Sequence, residues 1–561
     1  MSGKNSFGLG AEDFAFGAKD AGEFREAEGL NSAESELGVS ELRLEPGIDR
    51  SAQEFELELD EDEQGLDEAE QLEQEALKAL LSSGLIVGPD ASILGEVQAS
   101  EDPLKRLERD YTLDLQVEEI YQSIIRRAPE HDIDPSLDRV KLALDLLGNP
   151  QDTYRSIHIT GTNGKTSTSR MIEALLRERG LRTGRFTSPH LSSVRERITI
   201  NGRAISAAEF VETWEDIAAV IELVDQRSMA AGGPQMSFFE VFTVMAYSAF
   251  AMAPIDVAVM EVGMGGTWDA TNVIEADVAV LLPVALDHEK WLGSTVEEIA
   301  QEKLGILKAG KTLVCAEQAE EVIPIVMKTV AEKQAYLLAS GRDFALVDRE
   351  LAVGGQMLTV KTPSALYTDI PLAMFGQYQG ENAAAALAAV EAFFGGGAID
   401  ASVVEHAWMA TTSPGRMEVV KASPVIIVDA AHNPAGAQAT VAALEESFPG
   451  PRTTVFGAMA DKDVASVLTV LEPAFSSIIC TQIPGPRAMD VEELAEIARD
   501  IFGEDRVEVE PELGNAIAHA ADLAETADPN AIAPASVVIL GSIMLAAAAR
   551  DLLGAPRPDG V

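Results

Sequence analysis

The chain has 561 residues, 47% hydrophobic and 24% charged, and its 42 Lys+Arg against 92 Asp+Glu leave a net charge of −50. Such a length suggests three or four domains, fewer if part of the chain stays unfolded. So acidic a balance argues against general binding to nucleic acid or to anionic membrane, both of which reward basic surface.

Residues 1–100 hold 25 acidic and 6 basic residues, with scattered Gly and Ser and an acidic run at 54–70. That composition buries too little apolar surface to offset the entropy of ordering, so 1–103 reads as a disordered acidic extension. A short helix at 68–81 is the exception. The extension is expected to be solubilising, with docking to an unknown partner as the alternative. Acids at Glu12 and Asp13 and the lack of an apolar core argue against a signal peptide.

From about Leu104 the pattern is that of a folded domain. Residues 113–127 and 140–147 read as amphipathic helices, with apolar residues three and four apart. Residues 156–160 read as a strand that ends in a Gly-rich turn and a helix running to Gly180; 182–187 is the next strand. Apolar, β-rich runs follow at 257–262, 278–282 and 312–314, separated by helical patterns such as 297–307. Strands that are apolar throughout and alternate with helices predict a mostly parallel sheet covered on both faces. A second series begins near Arg416, with strands at 425–429, 453–456, 477–480 and 536–540 and helices starting at Pro434, Asp463, Val491 and Ile543. The turn-rich Thr411-Thr412-Ser413-Pro414-Gly415 is the linker candidate. The expected architecture is α/β: a P-loop-type, mostly parallel sheet domain over 104–410, the linker 411–415, and a smaller Rossmann-like α/β domain over 416–561. The apolar runs 241–254 and 535–549 fall short of the roughly 20 residues that cross a bilayer. Two cysteines, Cys315 and Cys480, make no disulfide framework or zinc site alone, so a reducing, cytoplasmic setting is expected.

The densest local signal is Thr160-Gly161-Thr162-Asn163-Gly164-Lys165-Thr166-Ser167 between strand and helix. Glycines let the backbone approach an anion, the helix N-terminus adds positive potential, and Lys165 adds a full charge, so the turn suits nucleotide phosphates. It departs from the common P-loop, which has Gly where Ile159 stands. Glu261 ends an apolar strand just before a Gly-rich loop, at the sheet edge where open α/β folds bind ligands. A carboxylate and a hydroxyl near a phosphate loop suit magnesium, a hard cation that takes oxygen ligands.

The variant turn resembles the ATP-dependent acid–amino acid ligases, which include the muramyl peptide ligases and folylpolyglutamate synthase. Thr187-Ser188-Pro189-His190-Leu191 with Arg195-Glu196-Arg197-Ile198 looks like the folate loop of the folylpolyglutamate and dihydrofolate synthases. Ser237-Phe238-Phe239-Glu240, Glu261-Val262-Gly263-Met264-Gly265-Gly266-Thr267-Trp268-Asp269-Ala270-Thr271-Asn272, Asp287-His288 and Glu302-Lys303-Leu304-Gly305-Ile306 follow in that family's order. So do Glu381-Asn382, Gly415-Arg416 and Asp429-Ala430-Ala431-His432-Asn433-Pro434.

The resemblance spans roughly 104–555 and implies an ADP-forming ligase that adds L-glutamate to dihydropteroate, to (poly)glutamylated tetrahydrofolate, or to both, through an acyl phosphate. The Ser-Pro-His-Leu form of the folate loop favours the bifunctional type. A single-function folylpolyglutamate synthase and a muramyl-type ligase are the alternatives. It implies ATP contacts at Thr162, Asn163, Gly164, Lys165, Thr166, Ser167, Asn382, Arg416 and Asp429. Folate or dihydropteroate would meet Ser188, Pro189, His190, Ser237, Phe238, Phe239, Glu240, Trp268, Asp269 and Ala270, and the incoming glutamate His432 and Ser542. Two magnesium ions would be held by Ser188 and Glu261, and by Glu261, His288 and a carbamylated Lys303. Asp269, His432 and Lys303 are the catalytic candidates. Bland readings stand beside these: Asp269 as a helix cap, His288 as an ordinary imidazole, Lys303 as a solvated helix lysine, Phe238 and Phe239 as core. The expected partners are the small-molecule substrates, with no nucleic acid or membrane, beside the possible partner of the acidic extension, and the chain is expected to act as a monomer.

Overall fold

The computed structural model describes residues 103–127, 135–485, 487–526 and 533–560. The acidic extension and its helix at 68–81 lie outside the described residues.

Three sheets organise the described chain. The first has eight strands in the order β4-β3-β2-β5-β1-β6-β7-β8. They are β1 (Arg155–Thr160), β2 (Thr183–Phe186), β3 (Ile198–Ile200), β4 (Arg203–Ala204), β5 (Val257–Glu261), β6 (Val278–Leu281), β7 (Thr312–Cys315) and β8 (Tyr336–Ala339). From β2 to β8 every pairing is parallel, and β3 and β4 close one edge antiparallel. The central strands are buried along nearly their whole length because helices cover both faces, which is why they read as continuous apolar runs.

On one face lies the helix Phe238–Met252, buried almost all round, as its near-unbroken apolar sequence requires. On the other, the helix Lys165–Glu178 packs its Met171, Ile172, Leu175 and Leu176 with the alanine run Ala383–Ala389 of the helix Gln377–Phe393. Alanines bring those helix axes close. Side-chain caps punctuate the sequence: Ser206 and Ser237 form capping boxes with Glu209 and Glu240, and Thr295, Asp400, Asn433, Asp463, Asp490 and Ser542 cap later helices.

A three-stranded antiparallel sheet follows: β9 (Ala345–Ala352), β10 (Gly355–Lys361) and β11 (Leu366–Leu372). Sequence reading gives no strands there, because β9 is exposed on most of its residues and its charged Asp348, Arg349 and Glu350 hide the alternation. The third sheet runs β12-β13-β17-β14-β15-β16, with β12 (Glu418–Ala422), β13 (Val425–Val428), β14 (Arg452–Phe456), β15 (Ser477–Cys480), β16 (Val507–Val509) and β17 (Ser536–Leu540). Only the β12 edge is antiparallel. Helices Pro434–Ser447, Val464–Leu471 and Val491–Phe502 cover one face, and Leu513–Thr526 and Ile543–Leu552 the other. The helix Leu513–Thr526 is a further element that sequence reading did not separate. The first helix also starts earlier than its periodicity suggests, at Pro103. The mixed α/β architecture, one large parallel-rich sheet and a second α/β sheet, is the one expected. We call the parts built on the first and third sheets the first and second lobes.

Candidate active site

The turn after β1 is shaped by two glycines that no other residue replaces without strain. Gly164 has φ +85°, and a Cβ there would sit 2.7 Å from Asn382 Oδ1. A Cβ on Gly161 would sit 2.6 Å from that of Leu282. Lys165 begins the following helix and folds its Nζ back to donate to the Gly161 and Thr162 carbonyls at 3.0 and 3.1 Å. Burial lowers its pKa, opposed by the Glu261 and Asp287 carboxylates.

Glu261 ends β5, next to β1, and is 1% exposed. Its Oε1 accepts from Thr166 Oγ1 at 3.0 Å, while its Oε2 is buried with no hydrogen-bond partner. Burial pushes the carboxyl up to about 7 against the pull of Lys165. Lys303, at the end of the helix Val296–Lys303, is 4% exposed and donates to the same Gly161 carbonyl at 3.0 Å. Burial and the nearby Lys165 bring its pKa down to about 7. The turn therefore gathers Lys165, Thr166, Glu261 and Lys303 around one backbone loop. His288, exposed and on left-handed backbone (φ 53°), lies beside this group: its Nε2 is 3.9 Å from Asp287 Oδ2, and burial, with Lys462 and Lys165 nearby, brings its pKa down to about 4.

The Gly-rich loop after Glu261 is pinned from inside. Asp269 is 3% exposed; it accepts from the Met264 amide at 2.9 Å and the Thr271 amide at 3.0 Å, and from the Thr271 hydroxyl. Burial outweighs those bonds and raises it to about 6. Asp269 thus caps the short helical turn Ala270–Val273, whose first residue Ala270 is buried. Trp268 packs on the apolar cluster around Ile299 and Leu304 and donates its amide to Glu302 Oε1 at 3.3 Å.

The segment 187–197 and the start of the helix Phe238–Met252 form a separate aromatic corner. Arg197 donates Nε to His190 Nδ1 at 2.9 Å and lies over the Phe238 ring at 4.8 Å. Tyr121 meets His190 and Phe238 edge-on at 5.8 and 6.0 Å. Burial and the Arg197 charge push His190 down to about 3. Phe239 tilts against Phe186 at 5.7 Å. Ser237 and Glu240 spend their side chains on the capping box, and Glu240 also pairs with Arg139 at 3.0 Å. Ser188 is buried and Pro189 exposed.

The second lobe meets the first at the phosphate turn. Asn163 and Asn433 exchange side-chain amide contacts at 3.3 Å, and Asn433 also caps the helix Pro434–Ser447 through the Gly436 amide at 2.7 Å. Ser167 Oγ lies 2.9 Å from Ser413 Oγ and accepts from Gln379 Nε2 at 3.2 Å; Gln379 in turn holds Asn382. Asp429, buried after β13, accepts from the Met417 and Ala431 amides at 2.8 Å each and from Thr440 Oγ1 at 3.0 Å. Its pKa is raised by burial, and the Arg416 charge opposes this. The Arg416 charge also bears, more weakly, on Lys165 and Glu261 in the first lobe. His432 places Nδ1 2.8 Å from the Ala430 carbonyl, to which it donates; burial and Lys462 bring it down to about 4, so the ring is neutral with Nε2 as an acceptor. Ser542 caps the helix Ile543–Leu552 through the Met544 amide at 3.1 Å.

Sequence reading missed Lys462, Gln379 and Ser413 as parts of this junction. Lys462 Nζ reaches Asp287 Oδ1 at 2.8 Å. Its one signal was a lone lysine between Asp461 and Asp463 just beyond a buried strand.

Comparison with known proteins decides the family. Residues 159–390 match the Mur ligase middle domain and residues 415–542 the Mur ligase glutamate ligase domain. A dihydrofolate synthase/folylpolyglutamate synthase of Mycobacterium tuberculosis is 45% identical over 78% of this chain and 94% of its own length. The chain belongs to the folylpolyglutamate/dihydrofolate synthase family of Mur ligases. A folylpolyglutamate synthase of Lacticaseibacillus casei is 34% identical over 74% of the chain and 94% of that protein. Among solved structures, Mycobacterium tuberculosis folylpolyglutamate synthase complexed with ADP superposes with a TM-score of 0.76 at 44% identity, covering 80% of this chain and all of that one. The muramyl-type alternative is thereby confined to the shared superfamily. No described helix is long and apolar enough to cross a membrane.

Proposed function

We propose that the chain is an ATP-dependent, ADP-forming ligase that adds L-glutamate to dihydropteroate and to (poly)glutamylated tetrahydrofolate through an acyl phosphate. The observation that carries this reading is the junction at the phosphate turn. A loop built to hold phosphates, with Lys165 and buried Glu261, faces Asn433 and His432 of the lobe that matches the glutamate ligase domain.

In the first step the substrate carboxylate attacks the γ-phosphate of ATP and ADP leaves. Phosphoryl transfer asks the protein for position and charge rather than covalent help, so Lys165 from the turn and Arg416 from the second lobe stabilise the migrating charge. Thr162, Asn163, Gly164, Thr166, Ser167, Asn382 and Asp429 bind the nucleotide around them, Asp429 also holding the Met417 amide next to Arg416. In the second step the glutamate amine attacks the acyl carbon and phosphate leaves. The amine must shed a proton. His432 offers the free lone pair of Nε2, and Asp287 Oδ2, 3.9 Å away, would stabilise the resulting imidazolium. Asp269 suits that task less, since both its oxygens already hold the loop that carries Glu261. The aromatic corner of His190, Phe238 and Phe239, with Ser188 and Pro189, is the side on which the pterin-bearing acid docks. Residues 104–410 and 416–561 then work as ATP- and folate-binding and glutamate-ligating parts, joined at 411–415, in the cytoplasm.

Magnesium fits here in part. The unpartnered Oε2 of Glu261 and the hydroxyl of Thr166 are hard oxygen donors beside the phosphate turn, and magnesium needs only one or two protein ligands. No group of three or more His, Cys, Asp or Glu among the described residues could hold a metal alone, so Ser188 would join Glu261 at the first ion, and a second ion would take Glu261 with His288 and an oxygen-bearing Lys303. Carbamylation by carbon dioxide would supply that oxygen. When bound, magnesium neutralises charge on the phosphates.

Phosphate release measured with dihydropteroate, tetrahydrofolate or a muramyl acid, each with and without its amino acid, tests the reading. Glutamate-dependent release with both pteridine acids is expected. Release with tetrahydrofolate alone would make the enzyme single-function, and release with the muramyl acid alone would overturn the proposal.

A further inference from the structure

The segment 411–415 is not the sole tie between the lobes. Beyond the helix Ile543–Leu552 the chain turns at Gly554 and returns to the first lobe, where it forms the turn Pro558–Gly560. Asp559 in that turn has left-handed backbone (φ 54°), and its side chain is 8% exposed. Its carboxylate accepts from Arg170 Nη1 and Nη2 at 2.8 and 2.6 Å and from Arg185 Nη2 at 2.8 Å. Arg170 lies on the phosphate-turn helix Lys165–Glu178, and Arg185 on β2.

The charges leave little slack. Arg185 Nε also donates to Glu173 at 2.7 Å, but Glu173 already serves Thr183 Oγ1 and the Gly202 amide. Asp559 is the one carboxylate within ion-pairing distance of Arg170 among the described residues. Without it two arginines, 13% and 1% exposed, would repel each other over a single glutamate. Removing one partner of a buried ion pair is costly, because the remaining charge stays desolvated.

The other end of this strap is tied to the linker. Arg550 donates to the Pro556 carbonyl at 2.7 Å and to Glu418 at 2.7 and 3.1 Å, and Glu418 accepts the Gly415 amide at 2.7 Å. Ser192 Oγ adds a contact to Asp551 at 3.2 Å. The helix that carries Lys165 is therefore held to the second-lobe side twice, at Ser167 through Ser413 and at Arg170 through Asp559.

We propose that Asp559 is a positioning residue of the ligase: its pairing with Arg170 and Arg185 sets the phosphate-turn helix against the second lobe, and so the placement of Lys165 relative to Arg416 and His432. Asp559 touches no substrate. This inference rests on the ligase reading, since its consequence is alignment for phosphoryl and acyl transfer, where small misplacements are expensive in rate.

The full chain, Asp559→Asn, Asp559→Glu and the double variant Arg170→Gln/Asp559→Asn test it; the double variant removes both charges together and leaves Arg185 paired with Glu173. Three quantities are read on each: glutamate-dependent phosphate release, equilibrium ADP binding and amide exchange over 411–418. Asp559→Asn and the double variant should lower kcat by roughly tenfold to a hundredfold. ADP affinity should stay near that of the parent, exchange over 411–418 should quicken, and Asp559→Glu should recover part of the rate. A lower melting temperature with kcat and exchange unchanged in the double variant would reduce Asp559 to a structural residue and overturn the proposal. A parent chain that releases no phosphate with any acid and glutamate would instead sink the ligase reading. The strap would then be judged by exchange alone, and unchanged exchange in both variants would overturn it.

Discussion

Lys462 reaches out of the loop after β14 to Asp287 in the first lobe, its Nζ 2.8 Å from Oδ1, with side chains 16% and 11% exposed. The other carboxylate oxygen accepts from Asn433 Nδ2 at 3.2 Å and lies 3.9 Å from His432 Nε2. Burial alone would raise Asp287, but His288, Lys462 and His432 outweigh it and hold the group well below the usual carboxylate range. An ionised aspartate of the first lobe thus orders Asn433 and His432, which the second lobe sets beside the phosphate turn.

Lys462→Ala should therefore damage the acyl-transfer step. We expect glutamate-dependent turnover to fall on the order of tenfold to a hundredfold, since the carboxylate loses its closest cation and the His432 side chain its fixed neighbour. ADP binding should be kept, because the phosphate turn is untouched. Steady-state rates at varied glutamate, with an ADP titration on the same protein, check this; a lost ADP affinity with normal turnover would place Lys462 on the nucleotide instead.

Arg416 sits just past 411–415 and bears electrostatically on Lys165 and Glu261 as well as on Asp429. Removing one preorganised charge from a reaction of this kind costs about 3 kcal/mol, about a hundredfold in rate. Arg416→Ala should lower kcat by that factor while folate affinity hardly changes, since the folate site proposed above lies in the first lobe around His190 and Phe238. Equilibrium folate binding beside turnover decides between this and a direct role in folate binding.

The carbamylation proposed for Lys303 is favoured by its surroundings, because burial and the nearby Lys165 bring its pKa down to about 7 and so favour the free amine. An amine, not an ammonium, is what adds to carbon dioxide. Lys303→Ala should lose most activity and keep ATP binding, and a short carboxylic acid at high concentration should restore part of the rate. A carbamate signal from 13C-enriched carbon dioxide, present in the parent chain and absent in Lys303→Ala, is the direct check. An active Lys303→Ala protein would remove the residue from the metal site.

Asp269 predicts a pH dependence of stability. Its folded pKa of about 6 stands above the unfolded value of 3.8, so between those values the folded state holds a proton that the unfolded state has lost. Stability then falls as pH rises through this window, by an amount on the order of 2–3 kcal/mol from this group alone. Denaturant unfolding at pH 4, 5 and 6 should show a shallower decline for Asp269→Asn than for the parent chain. Equal slopes would mean that the carboxylate is ionised in the fold at far lower pH.

Much of this molecule is local, and what is local was legible. The apolar strands beside the phosphate turn, the turn itself and the starts of the helices at Pro434, Val491 and Ile543 are set by periodicity, glycine and capping chemistry within a few residues. The ordered motifs carried the family. The small antiparallel sheet β9–β11 was hidden because exposed strands with charged residues resemble loops when neither face is continuously apolar. The polar ties between lobes were beyond reach for a different reason. Asp287 and Lys462 lie 175 positions apart, and Arg170 and Asp559 lie 389 apart. A lysine or aspartate carries the same formal charge in water as in a cleft. Only the packing that brings the lobes together removes the water, strengthens the pairing and so gives these particular charges a task.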